Sequence, residues 1–146
     1  MAIVRQILQT KGYGVYSVTP EATILDALKE MERRGIGAVL VMSGDKVQGI
    51  FSERDYARRG VLKGRDVSTP VEQVMTKAVY YVSPAESVEE CMAQMADKKI
   101  RHLPVVEDGK VVGLVSIGDV VNAIITNQKS LIHGLENYIL GRDYNT

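Results

Sequence analysis

Apolar residues in this chain follow two rhythms, a helical spacing of three and four and short continuous runs closed by glycine, proline or polar clusters. Residues 3–9 carry Ile3, Ile7 and Leu8 on one side of a short predicted helix, which Gly12 and Gly14 interrupt. A brief strand over residues 15–18 stops at Thr19-Pro20. Thr23 then caps a helix whose Ile24, Leu28 and Met31 recur at helical spacing until Gly35 closes it. Two apolar runs, residues 38–42 and 47–51, flank Ser43-Gly44-Asp45-Lys46 and predict a hairpin. Ser52 opens a helix over residues 53–62, with Tyr56 and Leu62 toward the core and Arg54, Arg58 and Arg59 outward.

After a polar connector the same order begins again. Residues 79–82 predict a strand stopped by Ser83-Pro84, and Ser87-Val88-Glu89-Glu90 is a capping box leading into a Val88, Met92, Met95 face. Runs at 103–106 and 111–115 are joined by Glu107-Asp108-Gly109-Lys110, and a helix follows over 117–126. The two halves keep one register, 64 residues apart (113 against 49): Tyr80, Val82, Pro84, Val105, Gly113, Ser116 and Asp119 fall on Tyr16, Val18, Pro20, Val41, Gly49, Ser52 and Asp55. A repeat of this length is a duplicated unit that cannot bury its sheet face alone. The sequence therefore divides into repeat 1 over 4–63, a connector over 64–70, repeat 2 over 71–127 and a helical tail over 128–146. The expected fold is α/β, two β-α-β-β-α repeats about a pseudo-twofold axis, with helical segments at both ends and one cleft for each repeat. In the tail, Leu131, Leu135, Tyr138 and Ile139 share a face that packs on its own domain or across a homodimer.

Composition narrows the function. The 146 residues are 45% hydrophobic and 25% charged, with 18 basic against 18 acidic side chains, the make-up of an ordinary globular protein. A net charge of zero disfavours nucleic acid, whose binders rest on a basic face, and a polybasic membrane anchor alike. One cysteine, Cys91, with His102 and His133 is a poor set for structural zinc, so no metal is expected. No apolar run approaches the ~18 residues of a membrane span, and the start of the chain lacks the layout of a secretion signal; the expected setting is cytoplasmic.

The chemistry gathers at Ser52-x-x-Asp55 and Ser116-x-x-Asp119, each behind an apolar strand. One reading is structural, a helix cap worth ~1 kcal/mol. The other is a binding site, favoured because the motif occurs twice at the same step of the repeat. A carboxylate can accept from both ribose hydroxyls, while a Ser hydroxyl and the N–H groups of a helix start suit phosphate oxygens. Neither a Gly-x-x-x-x-Gly-Lys loop nor a Gly-x-Gly-x-x-Gly turn is present.

Val74-Met75-Thr76 opening the second half, Arg101-His102-Leu103-Pro104-Val105-Val106 on its middle strand and Gly113-x-Val115-Ser116-x-x-Asp119 at its end make the chain resemble a tandem pair of CBS (cystathionine β-synthase) domains, a Bateman module, over residues 4–126. The resemblance implies a pair that binds adenosine-containing ligands in two clefts between the halves: AMP, ADP, ATP or NAD, ahead of S-adenosylmethionine. In cleft A it implies Asp119 on the ribose, Ser116 on a ribose or phosphate oxygen, Arg101 and His102 on phosphate, Gly118 leaving room beside them, and Gly14, Val15, Tyr16, Ile36 and Ala38 on the base side. In cleft B it implies Ser52, Glu53, Arg54 and Asp55, with Thr76, Lys77, Ala78, Tyr80 and Ile100. The halves differ where Gly37-Ala38 stands for Arg101-His102 and Arg54 for Gly118, so the two clefts should prefer unequal ligands, with Arg54 as the replacement cation.

The expected function is thus a non-catalytic regulatory module that signals occupancy by conformational change to an effector protein, as a homodimer. A homodimeric scaffold with vestigial clefts is the alternative. A small nucleotide-hydrolysing enzyme at Asp119 or Asp55 is the weakest reading, since no activated nucleophile, metal cluster or general base accompanies them. Cys91 stands where repeat 1 has Ala27 and is expected in the core, and the cluster Arg54, Arg58, Arg59, Lys63 and Arg65 reads as a solvated helix face.

Overall fold

The computed structural model describes residues 2–140. Its elements are α1 (Val4–Lys11), β1 (Ser17–Val18), α2 (Ile24–Arg34), β2 (Ala38–Ser43), β3 (Lys46–Ser52), α3 (Glu53–Asp55), α4 (Val88–Lys98), β4 (His102–Glu107), β5 (Lys110–Ser116) and α5 (Ile117–Ile139). They form two compact units: Gly14–Tyr80, and Met1–Tyr13 joined with Tyr81–Thr146. Residues 141–146, the end of the expected tail, lie outside the described residues.

In the Gly14–Tyr80 unit, β1 pairs parallel with β2 and β2 antiparallel with β3, through a register shift between Val41 and Met42. Helix α2 starts at Thr23, whose Oγ1 accepts from the Asp26 N–H while the Asp26 carboxylate accepts from the Thr23 N–H, and it ends at Gly35 in the left-handed region. Its buried Ile24, Ala27 and Met31 meet Val39, Val41 and Phe51 of the sheet and Val71, Val74 and Met75 from beyond the connector. The last three arrive because Val71 N–H donates to the Ala22 carbonyl at 2.7 Å and Thr76 exchanges backbone hydrogen bonds with Ile50 at 2.8 and 2.9 Å.

The helix expected over 53–62 is not regular. One α-turn passes into a wider π segment over Tyr56–Gly60 and a 3₁₀ turn over Val61–Lys63. Gly60 is buried so closely against the Tyr56 ring that a Cβ there would stand 3.0 Å from Cδ1, which fits a helix locally widened around that ring. Tyr56 packs on the core as expected, but Leu62 is 76% exposed, because the altered helix turns it to solvent.

The second unit repeats the hairpin, with β4 and β5 antiparallel and the register shift between Val105 and Val106. Ser87 accepts from the Glu90 N–H at 3.0 Å, the Ser87 half of the expected capping box. Helix α4 buries Val88, Cys91 and Met95, and α1 adds Val4, Ile7 and Leu8 to the same core. Helix α1 is fastened there by Val4 N–H to the Glu86 carbonyl, Arg5 N–H to the Pro84 carbonyl and an Arg5–Glu107 ion pair at 3.0 Å. The segment that opens each repeat thus packs with the hairpin of the other repeat.

The strand expected over 79–82 shrinks to a single parallel bridge, Val82 with Val105. Proline explains it. In the first unit Leu40 N–H donates to the Tyr16 carbonyl at 3.1 Å, but the residue 64 positions on from Leu40 is Pro104, which has no N–H to offer Tyr80. The strand expected over 15–18 is likewise reduced, to Ser17–Val18. The final helix does not stop at residue 126. It continues through Ile139, absorbing the described part of the expected separate tail, since no proline or cap signal intervenes.

Candidate functional site

Both Ser-x-x-Asp steps stand where an apolar strand runs into a helix. In the first unit Ala38 pairs with Ser52 across the sheet and Glu53 N–H donates to the Gly37 carbonyl at 3.1 Å. In the second, His102 pairs with Ser116 and Ile117 N–H donates to the Arg101 carbonyl at 2.8 Å. The paired strand therefore brings Arg101 and His102 beside Ser116 and Asp119, and leaves Gly37 and Ala38 beside Ser52 and Asp55.

Each Ser caps its helix. Ser52 Oγ accepts from Asp55 N–H at 3.1 Å and Ser116 Oγ from Asp119 N–H at 3.1 Å, and each Asp Oδ2 accepts the backbone N–H of its Ser, at 3.0 and 2.9 Å. The structural half of the sequence reading therefore holds at both steps. The caps do not use up the carboxylates, and here the two steps part.

Asp55 is surrounded by neutral donors, with Ser52 Oγ 3.1 Å from Oδ2 and Thr76 Oγ1 donating to Oδ1 at 3.0 Å. Asp119 instead receives a cation: Lys11 Nζ lies 2.7 Å from Oδ2 and also donates to the Leu114 carbonyl at 2.9 Å. Both side chains of that pair are partly exposed, at 36% for Lys11 and 23% for Asp119. A cavity of about 530 Å³ between α1 and α5 opens beside them, with Gln6, Thr10 and Asn122 on its walls.

Of the expected cleft A residues, Arg101, His102, Ser116, Gly118 and Asp119 lie together in the second unit, with Arg101 and Gly118 exposed and His102 half-buried. Gly14, Val15, Tyr16, Ile36 and Ala38 belong to the first unit. There Tyr16 is stacked under the Arg34 guanidinium, 4.6 Å from the ring centroid, and Ala38 is fully buried. Of the expected cleft B residues, Ser52, Asp55 and Thr76 are joined by the hydrogen bonds above; Glu53, Arg54, Lys77, Ala78 and Tyr80 are exposed in the same unit, and Ile100 is half-buried in the other. The Arg54 side chain makes no hydrogen bond or ion pair with another described residue. Arg59 is exposed, as expected, and it also donates to the Met75 carbonyl at 2.8 Å, as Arg65 does to the Gln73 carbonyl at 2.6 Å, so part of the basic cluster binds its own backbone.

Lys11 is the residue that sequence reading passed over. The signal was present, since Thr76 less 64 falls on Gly12 and Lys11 is its neighbour. Cys91 is a fully buried free cysteine, and burial, then the Glu86 and Glu90 carboxylates, push its thiol up to about 11, so it is a core group protonated at neutral pH. Among the described residues no three His, Cys, Asp or Glu gather as a metal site, and no helix is long and apolar enough to cross a membrane.

Comparison with known proteins agrees with this architecture. The signature of the family described as CBS domain matches residues 4–61 and 71–126. The mitochondrial CBS domain-containing protein CBSX3 of Arabidopsis thaliana is 38% identical over 129 residues, covering 84% of this chain and 63% of CBSX3, so this chain spans less than two-thirds of that relative. YhcV of Bacillus subtilis is 32% identical over 130 residues, covering 89% of this chain and 91% of YhcV. Among solved structures, a CBS-domain protein of Burkholderia ambifaria, provisionally assigned to signal transduction, is 47% identical with a TM-score of 0.83, covering 87% of this chain and 96% of its own. PAE2072 of Pyrobaculum aerophilum, solved with AMP, shares the fold at 24% identity and a TM-score of 0.71, over 80% of this chain and 88% of its own.

Proposed function

The chain belongs to the CBS domain family as a tandem pair, and on that premise we propose that it is a non-catalytic regulatory module that binds adenine nucleotides at its two Ser-x-x-Asp steps and signals occupancy to an effector protein. The observation that carries the reading is the recurrence, at one step of both repeats, of a carboxylate held at a helix start beside a capping serine. A helix start favours phosphate through its free N–H groups, and a carboxylate accepts ribose hydroxyls. AMP bound to PAE2072 supports a mononucleotide as ligand; ADP, ATP and NAD belong to the same class.

In this reading Asp119 and Asp55 take the ribose, Ser116 and Ser52 an adjoining oxygen, and Arg101 and His102 the phosphate. Residues Gly14, Val15, Tyr16, Ile36 and Ala38, with Thr76, Lys77, Ala78 and Tyr80, remain the proposed base-side groups. Ligand moves the protein only by binding one conformation better than another. Self-association is part of the proposal. Leu131, Leu135 and Tyr138 fall at helical spacing on α5 and are 59%, 62% and 79% exposed, which supports a second copy of this chain as what covers them.

Thermal unfolding of nucleotide-stripped protein tests the reading. AMP, ADP, ATP or NAD at ~100 times its dissociation constant should stabilise the fold by ~2.7 kcal/mol, a rise of several degrees. No shift with any of the four would sink it.

A further inference from the structure

The two repeats offer their carboxylates in different electrical states. Asp55 faces the hydroxyls of Ser52 and Thr76, whereas Asp119 is neutralised by the Lys11 ammonium 2.7 Å away. Lys11 is the last residue of α1, ahead of Gly12 and Gly14, and its ammonium is held in place by the Leu114 carbonyl. The cavity beside it has Lys11 as the one cation and Asp119 as the one anion in its lining; the other groups there are amides, hydroxyls and small apolar side chains. Asp119 Oδ1 accepts none of the described hydrogen bonds, so a ribose hydroxyl can dock on it without displacing a donor.

We propose that Lys11 reads ligand charge at the Asp119 step: it balances the carboxylate in the free protein and turns to the phosphate of a bound nucleotide, so that this site selects nucleotides over uncharged nucleosides. The inference rests on ribose binding at Asp119 and adds to Arg101 and His102 a further cation, one that the free protein spends on the ribose-binding carboxylate itself. Physically the ammonium has two anions within reach of one flexible stem. Ribose bound through neutral hydroxyls gains nothing from it, whereas a phosphate brought alongside gains a charge-assisted hydrogen bond. The corresponding residue of the other repeat is Met75, a buried side chain packed over Gly49, so this device belongs to one step only.

The test compares AMP with adenosine by calorimetric titration in the Asp55→Ala protein, which isolates the Asp119 step, with Lys11 intact or changed to Met or Arg. Lys11→Met should weaken AMP by about tenfold or more while adenosine changes by less than about threefold, and Lys11→Arg should restore most of the preference for AMP. Equal weakening of both ligands would assign Lys11 a merely structural role and overturn the proposal, as would an AMP-to-adenosine ratio unchanged by Lys11→Met. Absence of binding by the unsubstituted chain would fail the nucleotide reading itself, and this inference with it. Thermal unfolding of each variant confirms that the folded protein is being compared.

Discussion

Single residues carry the difference between the two repeats. Gly49 and Gly113 occupy the same step, and at both a side chain would collide with its neighbours. At Gly49 a Cβ would lie 2.7 Å from the Thr76 carbonyl oxygen and 2.7 Å from Met75 Sδ, and the carbonyl is itself fixed by a hydrogen bond to Ile50 N–H. At Gly113 it would lie 2.6 Å from Leu8 Cδ2, the tip of a core-packed side chain that can turn where a backbone carbonyl cannot. Gly49→Ala should therefore cost about 1–3 kcal/mol, the usual range for overpacking, and Gly113→Ala clearly less. Urea unfolding of the two variants measures this, and a larger loss at Gly113 would contradict it. The carboxylate partners obey similar logic. The family resemblance placed Thr76 in one cleft with Asp55, on the base side and not as its hydrogen-bond donor, whereas the Lys11–Asp119 pair joins residues 108 apart in the chain that no local pattern links.

Elements were legible where the pattern is local. The α2 helix, its Thr23 cap and Gly35 end, and both hairpins follow from spacing and turn residues alone. The misread elements depend on tertiary partners. A missing N–H at Pro104 reduces the strand before it to one bridge, and the buried fit of Gly60 against Tyr56 widens a helix that periodicity alone makes regular. The length of α5 was underread because the repeat ends near residue 126 while the helix runs on to Ile139. Its exposed Leu131, Leu135 and Tyr138 gain shelter if a second copy covers them. Leu135→Glu should then lower the mass seen by sedimentation equilibrium from dimer to monomer while nucleotide binding persists. A wild-type chain that is already monomeric, or a variant as dimeric as its parent, would refute that role for α5.

For the whole molecule, duplication made the fold readable and also hid part of it. The 64-residue period gives the order of elements, yet each compact unit is assembled from one repeat's hairpin and the segment that opens the other repeat. Residues in the opening segment of a repeat, Lys11 and Thr76, thereby become partners of the other repeat's aspartate. Two steps of one design with unlike partners should bind nucleotide independently and with unequal strength. Each cap contributes ~1 kcal/mol, so losing one aspartate should leave the chain folded. Calorimetric titration of AMP into the nucleotide-free wild type, Asp55→Ala and Asp119→Ala proteins tests this most directly. Two sites in the wild type and one in each variant is the predicted result; loss of all binding on either substitution, or two sites surviving in both variants, would contradict it.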